Sequence, residues 1–261
     1  MQSADGKRFV YEKTQLVEVM CQLRFPTILS IEAQSPAQFQ DTVREVFPRY
    51  ECLNEQVQDK SGTKHNQKNH AFLTADGASR LNLTQNFIAL STVRYTGWED
   101  FAGLLDEPLG QFIRIYRPAF FERIGLRYVN GISREKLELE DCRWSDLIQP
   151  HCLGPLDCDD VDEKSVTRCS VDMERRLDDK LQMRLHAGPG LIQRVLRTPE
   201  GVRTEQSKEL HFILDLDFFV LGNQQLKSTS ETLERLHTHA DKVFSDAITD
   251  RLHDAMEPVY V

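Results

Sequence analysis

The sequence predicts an α+β fold in which antiparallel sheets in two lobes are packed by helices, with a long amphipathic helix at the C-terminus. Three patterns carry this prediction. Apolar residues alternate over 16–25, short strands and turns alternate over 70–95, and apolar residues recur every three or four positions after 230. Strands and helices are mixed without a regular strand–helix repeat, which favours antiparallel over parallel sheet.

The first strand is predicted over 16–25, with the sequence LVEVMCQLRF. Successive side chains of a strand point to opposite faces of the sheet. One face of this strand is wholly apolar and is predicted to lie against the core; it consists of Val17, Val19, Cys21, Leu23 and Phe25.

Two helices are predicted in the first half of the chain. Apolar residues follow Pro36 at helical spacing over 37–47, and a longer apolar stripe covers 98–115, where Pro108 either kinks the helix or divides it. Residues 54–69 are polar and almost free of large apolar side chains, so they are interpreted mainly as a loop.

Residues 70–95 predict an antiparallel meander of three strands. Asp76-Gly77 is a strong hairpin signal, and Gln85-Asn86 marks the second turn. Another strand is predicted over 120–132.

The second half of the chain also predicts antiparallel strands joined by turns. A hairpin is predicted over 166–186 around Asp178-Asp179, and turns are predicted at 188–190 and 198–201. Residues 211–221, HFILDLDFFVL, are too apolar for an edge and predict a central strand.

The last predicted element is a single helix of about 26 residues, about 40 Å long. Its apolar positions repeat at three and four residues until Pro258; they are Leu233, Leu236, Ala240, Val243, Phe244, Ala247, Ile248, Leu252 and Met256.

Residues 133–163 contain prolines, glycines and the acidic stretch DCDDVDE, and they predict a connection and not a regular element. The chain is predicted to form one α+β domain. The alternative is an N-terminal lobe over 1–135, a connection over 136–163 and a C-terminal lobe over 164–261.

Composition narrows the function classes. The chain has 261 residues, 41 acidic against 32 basic side chains and a formal charge of −9, so its average field repels nucleic acid. The six cysteines are too sparse for a disulfide scaffold, and no apolar run is long enough for a membrane span or matches a signal peptide. A cytoplasmic protein is predicted.

Asp215 and Asp217 are the first candidate site residues. Two residues apart on a strand, they share one face. Paired carboxylates suit Mg²⁺ or Mn²⁺ together with substrate phosphate, but they also suit internal pairing with arginines such as Arg127. Internal pairing is favoured because buried carboxylates need a compensating cation, so no metal or other cofactor and no catalytic residue is predicted.

Arginines on neighbouring strands form the second candidate set. Arg24, Arg123 and Arg127 offer guanidinium forks that suit phosphate or carboxylate, or internal partners such as Glu18. Strand parity turns Asn130 to the face opposite Arg123 and Arg127. The candidate binding residues are Glu18, Arg24, Arg127, Asn130, Asp215 and Asp217.

A zinc site at His151, Cys152, Cys158 and Cys169 is disfavoured, because no Cys-x-x-Cys pair exists and the intervals match no zinc motif. The chain also lacks a glycine-rich phosphate loop, a Gly-x-Ser-x-Gly elbow and a His-Glu-x-x-His motif.

Four separated segments, in order, resemble a family of bacterial proteins of similar length that is sporadically distributed and functionally uncharacterised. They are Tyr11 to Phe25, with Glu18 and Gln22-Leu-Arg-Phe25, then Arg123 to Asn130, Leu214 to Phe218, and the helix with Leu236-His237 and Phe244. Gln15 departs from the family pattern, which favours proline there. The resemblance implies no reaction, ligand or catalytic residue, but it is compatible with a mobile or defence-type gene cluster.

The predicted function is therefore a non-catalytic interaction protein of a bacterial cytoplasmic system, with a protein partner. Two alternatives stay open. One is a metal-dependent enzyme acting on a phosphate-bearing substrate through Asp215 and Asp217, and the other is a carrier that holds a small ligand between helix and sheet.

Overall fold

A computed structural model describes residues 9–58, 62–198 and 201–260 of the chain. The predicted α+β class is confirmed. The strands are β1 (Phe9–Tyr11), β2 (Leu16–Arg24), β3 (Arg49–Gln58), β4 (Lys64–Leu73), β5 (Ser79–Leu83), β6 (Phe87–Thr92), β7 (Phe121–Ile132), β8 (Val171–Arg176), β9 (Leu181–Gly190), β10 (Gln193–Thr198), β11 (Gly201–Gln206), β12 (His211–Gln224) and β13 (Pro258–Tyr260). The α-helices are α1 (Leu29–Ala33), α2 (Ala37–Val43), α3 (Trp98–Tyr116), α4 (Pro150–Leu153), α5 (Thr229–Ala247) and α6 (Asp250–Ala255).

One antiparallel sheet organises the molecule. Its nine strands have the order β3-β4-β5-β6-β2-β7-β12-β9-β8, while β1 pairs with β13 and β10 pairs with β11. The predicted meander is present as β4, β5 and β6, and β12 is central as predicted. Because β7 pairs with β12, strands from both predicted lobes are neighbours in this sheet.

Side-chain alternation in β2 builds the core as predicted, except at one position. Val19, Cys21, Leu23 and Phe25 are fully buried. The register with β7 shifts between Leu16 and Glu18, however, and Leu16 packs against the core instead of Val17. A β-bulge adds one residue and reverses the alternation before it, which is why the prediction for Val17 was wrong.

The helices pack on one face of the sheet. Helix α5 lies against β7 and β12, and α2 packs on α3. The indole of Trp98 in α3 stacks on the imidazole of His237 in α5, with ring centroids 4.6 Å apart, so the two long helices meet at this point. Pro108 lies inside α3 without dividing it. None of the helices in the described ranges combines the length and apolar character needed to cross a bilayer.

The prediction that residues 54–69 form mainly a loop is wrong. This segment contributes the second half of β3 and the first half of β4, which pair with each other from Arg49 opposite Leu73 to Gln58 opposite Lys64. Strand β3 lies at the sheet edge and alternates between exposed and half-buried positions. An edge strand of this kind needs no apolar face, so its sequence carries no apolar alternation.

Residues 133–163 pack against the same face as the helices. Trp144, Ile148 and Leu153 are buried in the common core. The Arg134 guanidinium lies 4.0 Å from the centroid of the Trp144 ring and forms an ion pair with Glu163, at 2.6 Å. The end of the acidic stretch is therefore held to the core by an ion pair.

The predicted single C-terminal helix is wrong in its length. Helix α5 ends at Ala247, Ile248 is extended, and the Thr249 hydroxyl accepts a hydrogen bond from the Leu252 amide at the start of α6. Ile248 forms an antiparallel bridge with Ile148. This pairing draws the chain out of the helix although the apolar period continues through the break.

The remaining turn predictions have mixed outcomes. Strands β8 and β9 form the predicted hairpin. Residues 188–190 are not a turn, because they belong to β9 and pair with His211 to Ile213. The predicted turn at 198–201 falls partly outside the described residues.

Candidate functional site

The candidate site lies on the face of the central strands that points away from the helices, which we call the open face. Strand alternation turns polar side chains there from five neighbouring strands. They are Gln22 and Arg24 on β2, Arg123 and Arg127 on β7, Asp215 and Asp217 on β12, Arg184 and His186 on β9, and Asp172 and Glu174 on β8. The sheet register, and not sequence proximity, brings these groups together.

Asp215 forms a side-on ion pair with Arg127. The Arg127 Nε donates to Asp215 Oδ1 at 2.7 Å, and Nη2 donates to Oδ2. This hydrogen bonding to Asp215 raises the pKa of Arg127, while partial burial opposes the rise. A pair with two parallel hydrogen bonds fixes the plane of the guanidinium, which therefore has a defined orientation on the face.

Asp217 forms an end-on ion pair with Arg123. Both Asp217 oxygens accept from Arg123 Nη2, at 2.6 and 2.8 Å, and the two side chains are only 15% and 21% exposed. The Arg123 guanidinium also lies 4.8 Å from the centroid of the Phe219 ring, and that of Arg184 lies 5.0 Å from it. Two guanidinium groups therefore cover an aromatic ring that would otherwise be exposed on the open face, since Phe219 is 1% exposed.

The outer part of the face carries two more exposed pairs. Arg184 donates to both carboxylate oxygens of Glu174, at 3.2 and 3.4 Å, and His186 Nδ1 lies 2.7 Å from Asp172 Oδ1. The hydrogen bond from His186 lowers the pKa of the Asp172 carboxyl. Exposed pairs of this kind contribute little stability but order the side chains of β8 and β9.

Two depressions occupy this face. The first, which we call the arginine depression, has a volume of about 290 Å³ and is lined by Met20, Gln22, Arg24, Arg123, Gly125, Arg127, Arg184 and Asp217. The second, the acidic depression, has a volume of about 390 Å³ and is lined by Arg127, Asp172, Met173, Glu174, Arg184, Leu185, His186, Asp215 and Asp217. Four arginines and one carboxylate line the first, whereas four carboxylates, two arginines and one histidine line the second.

The structure places most of the sequence-predicted residues on the open face. Arg24 lines the arginine depression. Glu18 lies close enough to Arg127 for its negative charge to raise the pKa of that guanidinium. Asn130 is separated from them, because it points to the covered face, is 3% exposed and donates to the Leu214 carbonyl at 3.3 Å. Its parity on β7 already indicated this separation.

Four residues of the arginine depression were not singled out from the sequence as site residues. They are Met20, Gln22, Gly125 and Arg184. Gln22 shares strand parity with Arg24, which was considered, and this was an available signal. Nothing in the sequence indicated that Gly125 is needed so that Arg123 can fold across the strand.

The alternative prediction was a metal ion bound by Asp215 and Asp217, and both of these carboxylates already have arginine partners. Both carboxylates of the Asp215 and Asp217 pair are hydrogen-bonded to guanidinium groups, so a Mg²⁺ or Mn²⁺ ion would compete with Arg127 and Arg123 for these oxygens. Over the described ranges, no three His, Cys, Asp or Glu side chains converge in a way that could hold a metal ion, and this applies also to His151, Cys152, Cys158 and Cys169.

A buried polar cluster lies on the covered face, between α3, α5 and β7. The Tyr128 hydroxyl lies 2.9 Å from His237 Nδ1, and Asp241 lies 3.5 Å from His237 Nε2. Burial lowers the pKa of His237, although Asp241 opposes the shift, and burial raises the pKa of Tyr128. Tyr128 is itself 7% exposed, so we assign this cluster to helix–sheet packing.

The fold and the site define a class: an α+β protein whose single large antiparallel sheet is covered by helices on one face and carries paired charges on the other. The chain matches no protein-family model, and no curated protein is similar to it in sequence. Its relation to the bacterial family that it resembles stays a prediction.

Proposed function

We propose that the chain is a non-catalytic interaction protein that binds a protein partner on the open face. The observation that carries this proposal is the one-sided coverage of the sheet: apolar side chains of β2, β7 and β12 are buried under the helices, while their opposite sides present ordered charged groups. Arginines outnumber carboxylates in the arginine depression and carboxylates outnumber arginines in the acidic depression, a gradient that suits recognition of a partner with a complementary pattern.

The ordering of these side chains supports binding. Arg123, Arg127 and Arg184 are each held by a carboxylate, so part of their conformational entropy is already lost before a partner arrives. Asp215 and Asp217, the aspartates that suggested metal chemistry, hold two of these guanidinium groups, and Glu174 holds the third. This use of Asp215 and Asp217 favours a binding surface over a metal-dependent active centre. The carrier hypothesis also stays a prediction.

The resemblance to the uncharacterised bacterial family supports a finer proposal. The interaction would take place in the bacterial cytoplasm, and the chain would be an accessory component of a mobile or defence-type gene cluster. The products of neighbouring genes are therefore the partner candidates to test first.

The test compares two matched charge reversals during co-purification with each neighbouring gene product. Arg24→Glu changes an exposed residue on the open face, and Arg251→Glu changes an exposed residue of α6 on the covered side. We expect Arg24→Glu to abolish co-purification and Arg251→Glu to preserve it. In the wild-type complex, amide exchange is expected to slow in β2, β7 and β12. Protection confined to the helices, or equal losses in both variants, would contradict the proposal.

A further inference from the structure

The arginine depression contains donors that no group of the described structure uses. The side chains of Arg24 and Gln22 form no ion pair or hydrogen bond within the described part of the chain. Arg123 donates to Asp217 through Nη2 alone, and Arg127 donates to Asp215 through Nε and Nη2. A guanidinium has five N–H donors, so both paired arginines retain donors for a ligand.

The floor of the depression is shaped by a glycine. If Gly125 had a Cβ, that atom would lie 2.0 Å from Arg123 Nη1 and 2.5 Å from Arg123 Cζ. The absence of a side chain therefore lets the Arg123 guanidinium lie across the strand, where Asp217 holds it. The donors at the floor are fixed by the fold, which reduces the ordering that a bound ligand would require.

Charge inside the depression favours an anion. Four arginines line it, and three of them are paired with Asp217, Asp215 and Glu174, of which only Asp217 belongs to the lining; the uncompensated positive charge therefore comes from Arg24. Arg24 has no carboxylate partner among the described residues. Several guanidinium groups around one small volume match the multiple acceptor oxygens of a tetrahedral oxyanion.

Size and aromatic content narrow the ligand further. A volume of about 290 Å³ is at the lower end of small-molecule pockets, so it suits a phosphate group with a short attachment. Phe219 lies under two guanidinium groups and is 1% exposed, so no base can stack on it while these arginines remain in place. The lining includes no aromatic residue, which disfavours nucleotide or single-stranded nucleic acid recognition.

We propose that the arginine depression is a binding site for a phosphomonoester group, with Arg24, Arg123 and Arg127 as its guanidinium ligands and Gln22 as an amide donor. The group belongs either to a phosphorylated side chain of a protein or to a small phosphorylated metabolite. The first source deepens the proposed function and rests on it, because the phosphorylated protein would be the partner on the open face.

Titration of the full chain with inorganic phosphate, followed by amide chemical shifts, tests the shared chemistry. We expect saturable shifts in β2 and β7, and binding about tenfold weaker in Arg24→Gln. Arg251→Gln, which removes the same charge from α6, should bind like the wild type. Thermal melting of each variant verifies folding, which the exposed and unpaired Arg24 is expected to leave unchanged. The proposal would be overturned if phosphate binding did not saturate, if both variants bound phosphate equally weakly, or if acetate bound as tightly as phosphate.

A second titration separates the two sources. A phosphoserine peptide and glycerol phosphate are compared with inorganic phosphate, and the unphosphorylated peptide serves as the control. Tighter binding of the phosphopeptide supports a partner protein, and tighter binding of glycerol phosphate supports a metabolite. If phosphate binds but no neighbouring gene product does, the site stands and the proposed function fails. If a partner binds the open face and phosphate does not, this inference alone fails.

Discussion

The Arg123 guanidinium occupies the space that a side chain at Gly125 would need, with Nη1 only 2.0 Å from the position of a Cβ. The two residues are separated by one position on β7, so both belong to the open face. The absence of one side chain therefore determines where the other reaches, and it allows Arg123 to meet Asp217 on the neighbouring strand.

Gly125→Ala is expected to displace the Arg123 guanidinium and uncover part of Phe219. The displaced group is the flexible end of a side chain, so we expect folding to persist with a loss of about 1 kcal/mol in the free energy of unfolding. Phosphate affinity should fall with it. Urea denaturation and phosphate titration measure both effects. Unchanged values in both experiments would show that Arg123 contributes nothing from this position.

Gly188→Ala is expected to destabilise the fold more strongly, because the new Cβ would lie 2.4 Å from the Cys169 carbonyl oxygen, which is backbone and cannot move aside cheaply. We expect a loss of about 1–3 kcal/mol. Gly110→Ala, on the exposed side of α3 with nothing within 4 Å, is the matched control and should stabilise by up to about 1 kcal/mol through helix propensity. Similar denaturation midpoints for the two variants would show that the Cys169 carbonyl oxygen does not exclude a side chain at position 188.

Acid is expected to destabilise the protein partly through His237. Burial lowers its pKa below 6.5 in the folded state, so the unfolded chain takes up the proton more readily. The contribution of His237 is therefore fully present above about pH 6.5 and is lost as pH falls through the lowered pKa. His70 adds a shift in the same direction, also through burial.

His237→Gln should therefore reduce the difference between urea midpoints measured at about pH 7.5 and about pH 5.5, although His70 keeps part of it. The exposed His151→Gln serves as the control for removing an imidazole. An unchanged pH dependence in His237→Gln would exclude His237 as a source of the acid sensitivity.

Mg²⁺ and Mn²⁺ are expected to leave the melting temperature unchanged at matched ionic strength. Asp215 and Asp217 already accept hydrogen bonds from Arg127 and Arg123, and the positive charge of these arginines opposes a cation at the same oxygens. Differential scanning fluorimetry of the wild type and of Asp215→Asn with Asp217→Asn measures the response. Stabilisation of the wild type that is lost in the double variant would favour the metal-dependent enzyme instead.

Strong local patterns predicted much of the fold. The apolar face of β2 from Val19 to Leu23, the Asp76-Gly77 turn and the apolar strand β12 each carry their signal within a few residues. The edge strand β3 carried no such signal, because it is held by pairing with β4 and not by an apolar face. The break after Ala247 was also hidden, since the extended pairing of Ile248 depends on Ile148, distant in the chain.

Sequence by itself determined which side chains share a face: Asp215 with Asp217, and Arg123 with Arg127, while Asn130 points the other way. That information is local, because alternation along a strand follows from backbone geometry. Only the tertiary structure decided that β2, β7 and β12 are neighbours, that Arg123 crosses Gly125 to reach Asp217, and that four guanidinium groups surround one depression. These relationships depend on the order and register of strands that are distant in sequence, and side-chain alternation along any single strand does not encode them.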